Sequence, residues 1–316
     1  MNYCLRSICL AAAVLLFSSR AWSQFNDPHS YDNSPIGVNE LQLAYGYARA
    51  NSSIDSSLVI AGAKLDLNQG SVEYTRYFGL AHRMAWMTAG VPIAGLNGSV
   101  TGTRIQGSVV GAGDSSYQFG ILLKGGPALT PEKFEEFKPA TVLGFSFGVT
   151  APTGLYRSNK ILNLGSDRWA FRPEIAFSQP FGSEQRWQVD FYANCDFYTD
   201  NTTFHGRQIL RQTPLPGLEG HLSFTLTERV WLSLDTRYSA RGSTSVNGAD
   251  QNDSQQNFTL GNEINLELNK QNSIVVEWAK VLAHRNGPSS TGFAVKYAYT
   301  WGKGARLPGH RPEEQQ

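Results

Sequence analysis

The sequence predicts an all-β chain, a transmembrane antiparallel β-barrel of about twelve strands set in an outer membrane. Three observations predict it. The first residues have the layout of an export signal. Apolar and polar residues alternate with period two in one segment after another. The loops between those segments fall into two length classes.

The opening stretch, MNYCLRSICLAAAVLLFSSRAWSQ, carries Arg6 in a short basic region and an apolar run from Ile8 to Phe17. Ala21 and Ser23 then precede a cut before Gln24. A run this short marks a secretory signal rather than a membrane span. Cys9 lies too early for a lipoprotein site, and removal of the signal leaves Cys195 as the single cysteine, so no intramolecular disulfide is available. Beyond Gln24 there is no apolar run long enough for a spanning helix, which excludes a helical membrane protein but not a barrel. With a net charge of +1, a polyanionic partner such as nucleic acid is not expected. The expected organisation is a signal peptide at 1–23, a short periplasmic segment at 24–39, the barrel at 40–301 and a polar tail at 302–316.

Successive side chains of a strand point to opposite faces, so period-two patterns read as strands with one greasy face. Leu41, Leu43, Tyr45 and Tyr47 open the series. The stretch Leu58–Phe78 follows, with a bulge expected near Gly70, where the apolar parity changes. Next come Arg83–Ile93, the set Tyr117, Phe119, Ile121 and Leu123, and Thr141–Val149. Trp169–Phe177 sets its apolar residues against Arg172 and Glu174, and Trp187–Phe197 sets its own against Asp190, Asn194 and Asp196. Leu222, Phe224 and Leu226 precede Val230, Leu232 and Leu234, which oppose Ser233, Asp235 and Arg237. Phe258–Leu268 opposes Glu263 and Glu267, Ile274–Trp278 opposes Glu277, and Phe293–Trp301 opposes Lys296.

Gly79–His82, Gly182–Glu184, Thr227–Arg229 and Asn269–Gln271 are short; Gly95–Asp114, Thr153–Arg168, Asp200–Gly217 and Arg241–Gln256 are long and polar. Short turns on one rim and long loops on the other are the mark of an outer-membrane barrel, the long loops lying outside the cell. Gly125–Pro139 is the exception, a periplasmic turn in which TPEKFEEFK reads as a short helix capped by Thr130. A soluble sandwich shares the alternation. The signal, the missing disulfides, the loop asymmetry and the rings of Trp169, Trp187 and Trp301 at strand ends favour lipid.

The block 152–182, PTGLYRSNKILNLGSDRWAFRPEIAFSQPFG, with GAGDSSYQFGILLKGG before it and PLPGLEGH after it, resembles the outer-membrane family named for the meta-pathway of phenol degradation. The likeness runs from about residue 40 to Trp301. It implies a β-barrel in the outer membrane of a Gram-negative bacterium and a link to aromatic compounds; it supplies no catalytic residues.

The function expected is a channel or transporter for small molecules, aromatic or otherwise apolar ones among them. Arg172, Glu174, Asp190, Asp196, Asp235, Arg237, Glu263, Glu267, Glu277 and Lys296 share the inward parity and are the candidate lumen lining. Acids outnumber bases in this set, which disfavours anionic solutes. His221 and Ser223, two residues apart, match the spacing of an outer-membrane phospholipase, but their parity points them into the lumen, away from lipid. The histidines are scattered without metal-site spacing, and no cofactor is expected. The alternative is a structural or receptor barrel acting through its long loops. Expected partners are membrane lipid, the assembly machinery that reads the terminal Trp301, and a small solute.

Overall fold

The computed structural model describes residues 26–51, 63–100, 104, 106–160, 162–287 and 289–302; the signal, the start of the Leu58–Phe78 stretch and the tail beyond Gly302 lie outside these. Seventeen strands follow in order: β1 (Asn39–Ala50), β2 (Ala63–Leu80), β3 (Arg83–Val100), β4 (Gln106–Ala112), β5 (Ser115–Lys124), β6 (Val142–Ala151), β7 (Ala170–Phe181), β8 (Trp187–Tyr198), β9 (Asn201–Phe204), β10 (Gln208–Gln212), β11 (Leu215–Thr227), β12 (Val230–Arg241), β13 (Thr244–Val246), β14 (Ala249–Asp250), β15 (Gln255–Asn269), β16 (Asn272–Arg285) and β17 (Ser290–Trp301).

All the pairings are antiparallel. One sheet holds thirteen strands, and β4 joins it through β3 alone, so twelve close the ring. Closure joins the ends of the chain: β1 pairs with β17 from Asn39↔Trp301 to Ala50↔Ser290. A closed ring leaves no unpaired edge, which is what a strand protein needs in a solvent without water. Among the described residues no helix is long and apolar enough to cross a membrane.

The two faces of the wall are inverted relative to a soluble protein. Phe191 is 56% exposed and Leu234 52%, with Phe147, Ile175, Leu218, Ile264 and Val295 also outward. Glu174, Asp190, Glu219, His221 and Asp235 are buried inside. An apolar band of this extent on a soluble surface would be an aggregation liability; facing lipid, it is the stable arrangement.

Three local expectations are corrected. No bulge occurs at Gly70: β2 keeps an unbroken register with β1 and β3. The apolar parity changes because Leu65 and Leu67 point inward, packing with Ala94, Leu96 and the loop residues Leu162 and Leu164. The long loops are partly strand: β3 pairs with β4 from Ile93 to Ser99, and β9, β10, β13 and β14 form a second sheet that buries Phe204 and Leu210. The helix is one turn, Pro131–Phe134; Thr130 accepts at its main-chain carbonyl from the Phe134 amide and makes no side-chain cap.

The segments behind the family resemblance converge at the long-loop rim. Asp114 accepts from the Gly154 amide (2.9 Å), the Ser166 amide (2.8 Å) and the Ser166 hydroxyl (2.6 Å). Gly154 and Gly165 pack backbone against backbone there; a Cβ on either would come within 2.8 Å of main-chain atoms of the other.

Candidate functional site

The lumen is not empty. Residues 26–38, expected to lie beyond the barrel in the periplasm, run back inside it from the short-turn rim. Two main-chain bonds of 2.9 Å, Gly37 N–H to Tyr77 and Tyr77 N–H to Val38, stitch the segment to β2. The Ile36 amide donates to Leu129 at 2.9 Å, and Gly37, at φ 87°, makes the turn between them.

Tyr31 is the aromatic anchor, 1% exposed. Its ring meets Trp86 edge-on at 5.3 Å between centroids and Tyr192 at 5.2 Å. Its hydroxyl lies 2.8 Å from both Glu174 Oε1 and Ser146 Oγ. The wall makes room by omitting side chains: a Cβ on Gly144 would sit 2.2 Å from the Tyr31 ring, and one on Gly120 would sit 2.1 Å from Trp86. At the inner end of the segment Asn26 donates to Glu219 from its main chain (2.7 Å) and to Glu174 from its amide (2.6 Å). The sequence reasoning missed this anchor. Its legible trace was glycine at inward positions of neighbouring strands, a sign of close approach.

The structure gathers the ten inward charges into three groups. Arg172 holds Asp196 through two bonds of 2.6 and 2.7 Å; beside them Asn194 donates to Glu174 at 2.9 Å, and Arg237 pairs with Glu219. Asp235 accepts from His221 Nδ1 and Ser233, and the buried Asp190 accepts from Gln188 at 3.1 Å. Lys296 reaches Asp27 of the inserted segment at 2.5 Å, Glu277 at 2.6 Å and Glu263 at 3.9 Å. Glu267 lies on the same wall beside this last group. The carboxylates of Asp27, Glu263 and Glu277 stand close enough to hold a cation, and the Lys296 ammonium already occupies that role.

His221 and Ser223 both point inward but not at each other. Ser223 Oγ lies 2.8 Å from His29 Nε2, and His29 Nδ1 lies 2.9 Å from Asp32. The order is that of a serine nucleophile, its base and an orienting acid. Here two of its three members belong to the inserted segment, His29 packs on Trp231 at 4.8 Å, and Ser223 is 2% exposed. The trio works as a second anchor for residues 26–32.

A closed ring with an apolar outside, a charged inside and an inserted N-terminal segment defines an outer-membrane β-barrel whose lumen is occupied by its own chain. The protein belongs to the family described as "Putative MetA-pathway of phenol degradation", whose profile matches residues 47–297. Among solved structures it is similar to the COG4313 outer membrane channel from Pseudomonas putida F1, with 20% identity and a TM-score of 0.75 over 88% of this chain and 100% of that one. It is also similar to the beta domain of the Bordetella autotransporter BrkA, with 9% identity and a TM-score of 0.52 over 84% of this chain and 100% of that one. These likenesses concern the fold. A search of curated protein sequences returns no match.

Proposed function

We propose that the protein is an outer-membrane channel for small molecules, aromatic or otherwise apolar ones among them, held closed at rest by residues 26–38. The observation that carries this is Tyr31, seated against Trp86, Tyr192 and Glu174 where an open channel would have solvent. Family membership and the likeness to a solved outer membrane channel support it. Once the segment moves, Arg172, Glu174, Asp190, Asp196, Asp235, Arg237, Glu263, Glu267, Glu277 and Lys296 line the path. The acidic excess of that wall disfavours anions. Residues 1–23 act as the export signal, Trp301 as the end read by the assembly machinery, and 302–316 as a periplasmic tail; the exposed apolar band meets membrane lipid.

Liposomes containing the refolded protein test the reading by uptake of a small aromatic alcohol against a neutral sugar of similar size. Slow uptake by the parent, with faster uptake of the aromatic than of the sugar once Tyr31 is replaced by Ala, is the expected result. Parent protein that admits both solutes freely would show that the segment does not close the lumen, and would overturn it.

A further inference from the structure

The inserted segment leaves a chamber of about 230 Å³ against the β1, β2, β15, β16 and β17 wall. We infer that this chamber is a binding site for an organic cation, a small molecule bearing an ammonium group close to a hydrogen-bond acceptor and an apolar ring. The inference rests on the channel reading and names a solute class for it.

The chamber exists because its floor is built of small residues. In the register, Ala44 of β1 lies between Ser71 of β2 and Lys296 of β17, and Gly46 lies between Gln69 and Ala294. Ala298 extends the floor, facing Gln42. Larger inward side chains would have filled the space, as Trp86 and Tyr192 fill it beside Tyr31.

The rim is acidic. Glu40, Glu73, Glu263, Glu267 and Glu277 line it, and Lys296 is the one lysine or arginine among the described lining residues. That ammonium is already committed to Asp27 and Glu277. Glu40 has no hydrogen-bond or ion-pair partner among the described residues, and its neighbours include the like charges Glu73 and Asp27. A carboxylate so placed is stabilised by an incoming cation and opposed to an anion.

A second, independent observation points to a ligand rather than to counter-ions alone. Gln69 lines the chamber at 4% exposure, and its amide nitrogen has no partner among the described residues. A buried N–H donor left unmet costs free energy, and a ligand acceptor would satisfy it. A bare metal ion offers no acceptor. Tyr31, Tyr77, Trp86 and Trp231 complete the lining, and aromatic rings attract ammonium groups. The volume corresponds to roughly eight waters, room for a ligand of about ten heavy atoms.

Phenylalaninol has the required parts: ring, ammonium and hydroxyl. Its binding to the full-length refolded protein can be followed by calorimetry and by fluorescence of the two lining tryptophans, with 3-phenylpropan-1-ol as the uncharged analogue lacking the amine and hydrocinnamate as the anion. The expected result is saturable binding of phenylalaninol at least about tenfold tighter than that of the alcohol, and none of the anion. Glu40→Gln should weaken the amine about tenfold and leave the alcohol unchanged, while Ala44→Leu, which fills the chamber, should abolish both. Equal binding of amine and alcohol to the parent protein overturns the proposal, and that comparison needs no variant. Amine binding untouched by Ala44→Leu, with the barrel folded by heat-dependent gel mobility, would place the ligand elsewhere and overturn it too. Binding does not require passage, so the liposome experiment can fail while this one succeeds, and the reverse.

Discussion

Replacing Tyr31 with Ala should convert a channel that is almost always shut into one that opens readily. The ring is fully enclosed when the segment is seated and in water when it is released, so its removal acts on the closed state alone. Deleting a buried aromatic side chain costs about 3–5 kcal/mol. Each 1.4 kcal/mol is a factor of ten, so the closed-to-open ratio should fall by roughly a hundredfold or more. Tyr31→Phe keeps the ring contacts and loses the hydroxyl between Glu174 and Ser146, at about 1–3 kcal/mol, and belongs between the two. Planar-bilayer recordings give the open fraction directly, with heat-dependent gel mobility to show that each variant is folded. The expected order of opening is Ala, then Phe, then the parent. Equal open fractions for all three folded proteins would mean that Tyr31 does not hold the barrier, and the argument from its burial would be refuted.

Lys296→Met removes the ammonium from between Glu277, Glu263 and Asp27; stranding these acids should cost about 3–5 kcal/mol, read as a lower unfolding midpoint, and should raise the preference for cations in reversal-potential measurements. An unchanged midpoint would show that the group is not formed. Phe191→Arg places a charge on the lipid face and should lower the stability of the barrel in vesicles by about 2–4 kcal/mol, measured by urea titration; no loss would argue that this face does not meet hydrocarbon. Ser223 should remain unmodified by a fluorophosphonate probe in mass spectrometry, because its hydroxyl lies under His29. An adduct at Ser223 that disappears in His29→Ala would reveal a nucleophile instead of an anchor.

The wall was legible in the sequence because the environment reverses at every residue. Lipid on one side and lumen on the other write a period of two, which placed Phe191 outside and Asp190 inside without any knowledge of what either touches. The rule faltered at Leu65 and Leu67, where the inner face turns apolar near the long-loop rim and parity of hydrophobicity no longer reports parity of direction. The inserted segment was not legible for a different reason. Residues 26–38 hold their place through contacts with residues far along the chain, from Gly37 with Tyr77 to Tyr31 with Glu174, and such pairing leaves no local period. His29 illustrates the same limit: the spacing of His221 and Ser223 suggested one partnership, and folding supplied Ser223 with another histidine from the far end of the chain.

How firmly the segment is seated follows from the kinds of contact it makes. At 36–38 it is bound by main-chain hydrogen bonds to β2 and to Leu129, like an extension of the wall. At 26–32 the backbone–backbone bonds shown are internal, Ser30 to Asp27 and Asp32 to His29; the rest of the docking runs through side chains and the Asn26 amide. Charge does not favour that docking. The segment brings Asp27 and Asp32 into a lumen already holding Glu174, Asp190, Glu219, Asp235, Glu263 and Glu277, and each newcomer needs a partner, Lys296, shared with Glu277 and Glu263, for one and His29 with Gln188 for the other. The aromatic seat of Tyr31 must therefore outweigh a like-charge penalty that grows as these partners are lost. A closure built this way divides the segment in two: a fixed stem ending at Gly37, and a releasable arm, residues 26–32, whose departure breaks no backbone–backbone bond to the barrel wall among those of the described residues.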